Sequence, residues 1–313
     1  MMINEERCVR AFCSLQGLAI GDAFGQRFAT RDPEELPEWV LARRIPRGVW
    51  RYSDDTMMAA SIVEVLRRHD GIEQDTLAGS FVAHYAPERG YGQAMHQLFT
   101  DIREGLTSWR TAVPALFNGQ GSYGNGAVMR VAPLGAYFAD DLDLVVKHAA
   151  LSATVTHTHP EAVAGATAVA VAAALACRAR QARHRPTRAD FIDAILPYLP
   201  KSDIRRKVLR ARDLPPGTSV HQTVAALGNG GWATAQDTVP MVLFCAGESL
   251  AHFETALWKT LIGQGDLDTN CAIVGGIVAC YTTESGIPPA WLNRCEPLPA
   301  WVMAEAELAE SYI

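Results

Sequence analysis

The chain has 313 residues and a formal charge of −6, from 28 basic and 34 acidic side chains. With 49% hydrophobic and 20% charged residues it has globular rather than disordered composition, and its length can bury a core without disulfides. The mild acidity gives no basic footprint, so nucleic acid and membrane surfaces are disfavoured as partners. The first residues, MMINEERCVR, carry acids and no long apolar stretch, so no secretory signal is expected. Apolar spacing then predicts helices: an imperfect face at Val9, Phe12, Cys13 and Gln16, and a clean one at Met58, Ile62, Val65 and Leu66. The stretch AVMRVAPLGAYF after Gly126 reads as helical. Residues 162–176, AVAGATAVAVAAALA, are too short for a membrane span and predict a buried helix of small residues that admits close backbone approach. The β-branched runs 144–147 and 239–244 fit helices as well as strands. Pro and Gly punctuate the chain without a long linker, and the tail 301–313 reads as a short acidic helix. The expectation is one all-α domain over residues 1–313 with about a dozen helices.

Cysteines stand at positions 8, 13, 177, 245, 271, 280 and 295 with no CxxC pair, which suits reduced thiols and a cytoplasmic location. The oligomeric state is not legible, a monomer being the working expectation.

Two acidic clusters open helices. Tyr52-Ser53-Asp54-Asp55-Thr56 precedes an apolar helical pattern, and Gly265-Asp266-Leu267-Asp268-Thr269 precedes another. The first, taken alone, reads as a helix cap, since Ser or Asp satisfies free N–H groups and acids favour the positive end of the dipole. One cap suffices for that purpose, however, and paired carboxylates on a turn also converge on a cation. Together the clusters offer Asp54, Asp55, Asp266 and Asp268 with the hydroxyls of Ser53 and Thr269. Such an all-oxygen set suits Mg²⁺, Mn²⁺ or Ca²⁺ rather than zinc.

Residues 117–126, Phe-Asn-Gly-Gln-Gly-Ser-Tyr-Gly-Asn-Gly, form a glycine-rich loop. Its backbone N–H groups can face phosphate oxygens, and Phe117 and Tyr123 can stack on a base, although taken alone the loop reads first as a wide surface turn. It is neither a Walker A loop nor a dinucleotide fingerprint. Thr156-His157-Thr158-His159-Pro160-Glu161 reads as a helix N-terminus, with the cap at Thr158 or His159 and Pro160 in the first turn, rather than as a histidine metal site.

In this order, the stretches GLAIGDAFG (17–25), YSDDT (52–56), GSYGNGAVMRVAPL (121–134), THTHPEAVAGA (156–166), VPMVLFC (239–245) and GDLDTNCAIVGG (265–276) resemble the ADP-ribosylglycohydrolase family. The resemblance implies a multi-helix orthogonal bundle around two Mg²⁺ or Mn²⁺ ions and hydrolysis of the bond between ADP-ribose and an acceptor on a protein or small molecule. It implies that Ser53, Asp54, Asp55, Asp266, Asp268 and Thr269 ligate the metals, with Asp55 or Asp268 orienting the attacking water. By the same resemblance Ser122, Tyr123, Gly124 and Asn125 hold diphosphate and ribose, Phe117 and Tyr123 flank the adenine, and His157 contacts ADP-ribose. Asp22, in the GDA stretch, is first a structural cap beneath the site. The ungapped match to a glutamate common in the family is Ala29, with Glu34 and Glu35 following later. Two alternatives stay open on the same fold: a non-catalytic ADP-ribose binder, and a hydrolase of another nucleotide conjugate.

Overall fold

The computed structural model describes residues 2–32 and 34–302. Most of the expected acidic tail, 303–313, therefore lies outside the described residues. The described chain is all-α, with sixteen α-helices, five 3₁₀ turns and, in place of strands, two isolated bridges. In order the helices are α1 Met2–Ala29, α2 Leu36–Leu41, α3 Asp54–His69, α4 Gln74–Ala83, α5 Gln93–Arg103 and α6 Trp109–Gly119. There follow α7 Ala132–Tyr137, α8 Leu142–Thr154, α9 Pro160–Gln181, α10 Arg188–Ile195 and α11 Asp203–Asp213. The last are α12 Val220–Leu227, α13 Ala235–Glu248, α14 Phe253–Ile262, α15 Leu267–Thr282 and α16 Pro289–Leu292.

The pairing that positions the site is α1 against α15. Gly17, Gly21 and Gly25 recur every four residues on α1, which places them on one helix face. A methyl group there would sit 2.2 Å from the Ala279 side chain, 2.1 Å from the Cys271 carbonyl oxygen and 2.3 Å from the Leu267 carbonyl oxygen. Facing them on α15, Gly275 lies so close that its own Cβ would stand 2.3 Å from the carbonyl oxygen of Gly17. The backbones touch, and α1 carries Asp22 alongside the start of α15, where Asp268 sits.

The alanine-rich segment forms α9, and nearly all of its small residues are buried. Among the described residues it is the one helix long and apolar enough to cross a membrane, and 78% of that window is buried inside the protein. Close approach is used here too, since a Cβ at Gly135 of α7 would meet the Ala170 carbonyl oxygen at 1.9 Å. Both ambiguous β-branched runs are helical, in α8 and α13. An aromatic cluster of Phe24, Phe28, Trp50, Trp258 and Trp291 packs behind α1.

Two local expectations are revised. Met58, Ile62, Val65 and Leu66 are buried on α3, but Val9 is 56% exposed, because α1 turns its glycine stripe inward instead. The stretch after Gly126 is not one helix. A 3₁₀ turn covers Asn125–Ala127 and α7 starts only at Ala132, with Pro133 in its first turn, a position that opens a helix rather than continuing one.

Candidate metal and ligand site

Three segments distant in sequence meet at the N-terminal ends of α3 and α15. Ser53 caps α3, its Oγ accepting the Asp55 N–H at 3.2 Å. Asp22 reinforces the cap from α1. Its carboxylate accepts the N–H groups of Ser53 and Thr56 at 2.9 and 3.1 Å and the Thr56 hydroxyl at 2.6 Å. That is the capping role expected for Asp22, but the structure adds a second one. Carboxylate oxygens of Asp22, Asp55 and Asp268 lie within 4.8 Å of one another, a group able to hold a metal ion.

The rest of the acidic set surrounds this triad. Ser53 Oγ donates to Asp55 Oδ2 at 2.7 Å, and Thr269 Oγ1 donates to Asp55 Oδ1 at 3.3 Å, so both hydroxyls expected as ligands converge on Asp55. Asp266 is held by the Asn125 amide, Nδ2 to Oδ2 at 2.7 Å, while the same amide reaches Thr238 Oγ1 at 3.2 Å. Asn125 therefore orients a carboxylate of the cluster from the glycine-rich loop. Asp54 faces the cavity, and the turn between α4 and α5 comes close to it: a Cβ at Gly90 would be 3.8 Å from its Oδ1.

These acids are in mutual conflict when no cation is bound. Burial, and after it the Asp268 charge, pushes Asp22 up to about 7; the same two causes push Asp266 up to about 7. Asp54 and Asp55 are raised well above the ordinary carboxylate range by burial and by their acidic neighbours, Asp22 first. Among the described residues none of the five forms an ion pair with Lys, Arg or His. Buried carboxylates stay ionised only with compensating charge. A hard divalent cation meets that need with the oxygen donors it prefers, so the residues present fit such an ion.

The cluster contributes to the wall of a cavity of about 390 Å³ through Asp54, Asp55, Asp266, Asp268 and Thr269. The volume falls within the ~300–1,000 Å³ range of small-molecule sites. The other walls include Phe117, Ser122, Gly124, Asn125, Arg130 and His157. Of the residues expected at the site, Ser53 lies buried beneath the cavity rather than on its wall. Tyr123 is 41% exposed and stands outside, beside the rim residue Phe117. Their ring centroids are 6.2 Å apart, tilted by 37°. A base stacked between two rings needs about 7 Å, twice the usual carbon contact distance, so the pair must part slightly to hold one. Phe117 has φ +53°, left-handed backbone that a bulky side chain rarely adopts, in a break of α6 running from Leu116 to Asn118.

The glycine-rich loop and the histidine loop interlock. A Cβ at Gly121 would stand 2.1 Å from Thr158 Oγ1, one at Gly124 3.2 Å from His157 Nε2, and one at Gly126 2.8 Å from His157 Cε1. At Gly121 and Gly126 an added Cβ would displace the second loop, and at Gly124 it would press on the His157 ring. The loop's Gly121, Gly124 and Asn125 N–H groups already bond to Leu116 O, Ser122 Oγ and Ala233 O. His159 caps α9 with Pro160 after it, its Nδ1 accepting the Glu161 N–H. The Glu161 carboxylate reaches across to cap α11 at Asp203 and Ile204.

Arg130 was not singled out from sequence. It is fully buried in the cavity wall, stacked 4.6 Å from the Phe81 ring centroid. Its signal was an arginine inside the apolar run AVMRVAPL.

An all-helical fold bringing buried carboxylates and an aromatic rim to one cavity defines a candidate metal-assisted enzyme. The sequence model of the ADP-ribosylglycohydrolase family matches residues 4–312, and the chain belongs to that family. It is 28% identical to ADP-ribosylhydrolase ARH3 of Gallus gallus, over 90% of this chain and 88% of that protein. It is likewise 28% identical to ADP-ribosylhydrolase ARH3 of Homo sapiens, over 78% of this chain and 74% of that protein. ADP-ribosylarginine hydrolase Tri1 of Pseudomonas putida (strain GB-1) is 25% identical, over 98% of this chain and 78% of its own length. Among solved structures, an ADP-ribosylglycohydrolase-related protein complex shares the fold, with TM-score 0.58 and 24% identity over 93% of this chain and 94% of the other.

Proposed function

We propose that the protein is a divalent-metal-dependent hydrolase that releases ADP-ribose from a conjugate, on a protein side chain or a small molecule. The observation that carries this reading is the shared cavity. Carboxylates from the starts of α3 and α15, His157 and the half-exposed aromatic Phe117 all line it. That lining suits a ligand that combines sugar hydroxyls, an anionic centre and a base. The relatives named as ADP-ribosylhydrolases support the same substrate class.

Asp54, Asp55, Asp266, Asp268, Ser53 and Thr269 would hold the metal, which we take to be two Mg²⁺ or Mn²⁺ ions, with Asp22 beside them. Bound there, the ions would polarise ribose oxygens and make a water more acidic. The chain's own groups do the remaining work. Asn125 fixes the Asp266 carboxylate, and Ser53 and Thr269 fix Asp55. Asp55 or Asp268 orients the water toward the ribose carbon as the bond to the acceptor breaks and positive charge develops there. Phe117 and His157 bind parts of the ligand remote from that carbon, and this binding energy positions it.

A specific observation favours a second reading, a binder without turnover. Among the described residues no glutamate lines the cavity, and Ala29 is exposed at the end of α1. The test is ADP-ribose release, followed by mass spectrometry, from arginine-linked and serine-linked peptides and O-acetyl-ADP-ribose in Mg²⁺, Mn²⁺ or EDTA. Metal-dependent release from one member is expected and names the linkage. ADP-ribose binding by calorimetry with no release from any member would favour the binder.

A further inference from the structure

His157 is buried between two loops, and its Nδ1 lies 2.7 Å from Thr156 Oγ1. The same hydroxyl oxygen receives Arg130 Nη2 at 2.8 Å, and Nη2 also reaches the Ser152 carbonyl oxygen at 3.0 Å. A guanidinium only donates. Thr156 Oγ1 therefore accepts from Arg130, and its single proton is left for His157 Nδ1. Were Nδ1 protonated instead, the Thr156 proton would be buried with no acceptor among the described residues, at the desolvation cost of an orphaned polar group. The proton of the neutral ring is thereby assigned to Nε2.

Nε2 has no partner among the described residues, and His157 lines the cavity. A Cβ at Gly124 or Gly126 would come within 3.2 or 3.0 Å of it, so the two glycines keep its approach clear. Burial and the Arg130 charge hold the imidazole neutral, pushing it down to about 3. Arg130 has no carboxylate bonded to it among the described residues; Asp54 is the charge that acts on it.

We infer that Arg130 and Thr156 are positioning residues that lock His157 as the Nε2–H tautomer, so that it presents one fixed donor to an anionic oxygen of the ligand. The ligand assignment rests on the functional reading above and makes that oxygen a phosphate oxygen of the ADP-ribosyl diphosphate. The opposite tautomer would turn a lone pair toward the anion.

The test uses the full-length, ligand-free chain labelled with ¹⁵N-histidine, with long-range ¹H–¹⁵N correlation and His157 identified by its loss in His157→Ala. Wild type and Thr156→Ser are expected to show a protonated Nε2 and an Nδ1 that accepts a hydrogen bond. Thr156→Val should move the Nδ1 resonance to its unbonded position, and Arg130→Lys, which keeps the charge but loses the planar fork, should shift it in part. A protonated Nδ1 in wild type, or an unchanged resonance in either variant, overturns the relay. Calorimetry supplies the second readout. Thr156→Val should weaken ADP-ribose binding about tenfold, the scale of a hydrogen bond to a charged group, and Thr156→Ser should restore it. Thr156→Val should add nothing in a His157→Ala background; an equal loss there overturns the coupling. Failure of the wild type to bind ADP-ribose would remove the functional reading, while the nitrogen spectra would still decide the relay.

Discussion

Replacing Gly21 by Ala tests whether contact between helix backbones assembles the site. Ala is the better helix former by about 1 kcal/mol, so an unobstructed change stabilises. At Gly21 the added methyl would stand 2.1 Å from the Cys271 carbonyl oxygen, and relief demands about 1 Å of retreat by one backbone or the other. Overpacking of this kind costs about 1–3 kcal/mol, toward the upper end when the neighbour is backbone and cannot rotate away. Set against the propensity gain, the net loss is roughly 1–2 kcal/mol. The retreat also separates Asp22 on α1 from Asp268 on α15, so affinity for Mn²⁺ should fall with stability. Gly79 on α4 is the control, since its added methyl meets nothing within 4 Å. Gly79→Ala should raise the urea midpoint and leave Mn²⁺ binding alone, whereas Gly21→Ala lowers both. If Gly21→Ala matches Gly79→Ala in sign, or loses stability with Mn²⁺ affinity intact, the glycine stripe does not place the acids.

Asp54→Asn should abolish turnover and weaken Mn²⁺ binding in calorimetry, yet raise the melting temperature in EDTA, because it removes the cost of burying or protonating one carboxylate in a crowded acidic cluster. In EDTA the wild type should lose stability as pH rises from about 4 to about 7. Asp22 and Asp266 titrate near 7 when folded against an ordinary 3.8, so the folded state binds their protons more tightly and is favoured on the acid side. Melting curves across that range, with Asp266→Asn as the reference, check the sign: the substitution should flatten the slope, and saturating Mn²⁺ should reverse it. Phe117→Gly should leave the protein as stable or more so, since glycine accepts the left-handed backbone, while weakening ADP-ribose binding several-fold by loss of a stacking ring. A destabilised variant with unchanged affinity would place that ring in the core rather than at the ligand.

What was legible in the sequence was local. The two acidic clusters announce helix starts within a few residues, and both helices begin there, but only the first is a side-chain cap: Ser53 caps α3, whereas Asp266 at the start of α15 makes no capping bond and is held by Asn125 instead. That paired acids suit a cation is legible in each cluster, but their meeting across more than 200 residues has no local signature; physically α1 packs on α15 through its glycines and holds the start of α3 through Asp22, while Thr269 bonds Asp55. The three glycines of α1 are visible at intervals of four, but a stripe of glycine carries no sign of what it packs against until Cys271 and Leu267 are found opposite. The loop 117–126 shows the same gap from another side. Its glycines suggested free N–H groups for phosphate, whereas Gly121, Gly124 and Gly126 are small because Thr158 and His157 occupy the space a Cβ would fill. One packing constraint thus links the two motifs, and it bears on chemistry: the seat that excludes a Cβ at Gly126 also sets the position from which His157 faces the ligand. Substitution at Gly126 should therefore act on binding through the histidine.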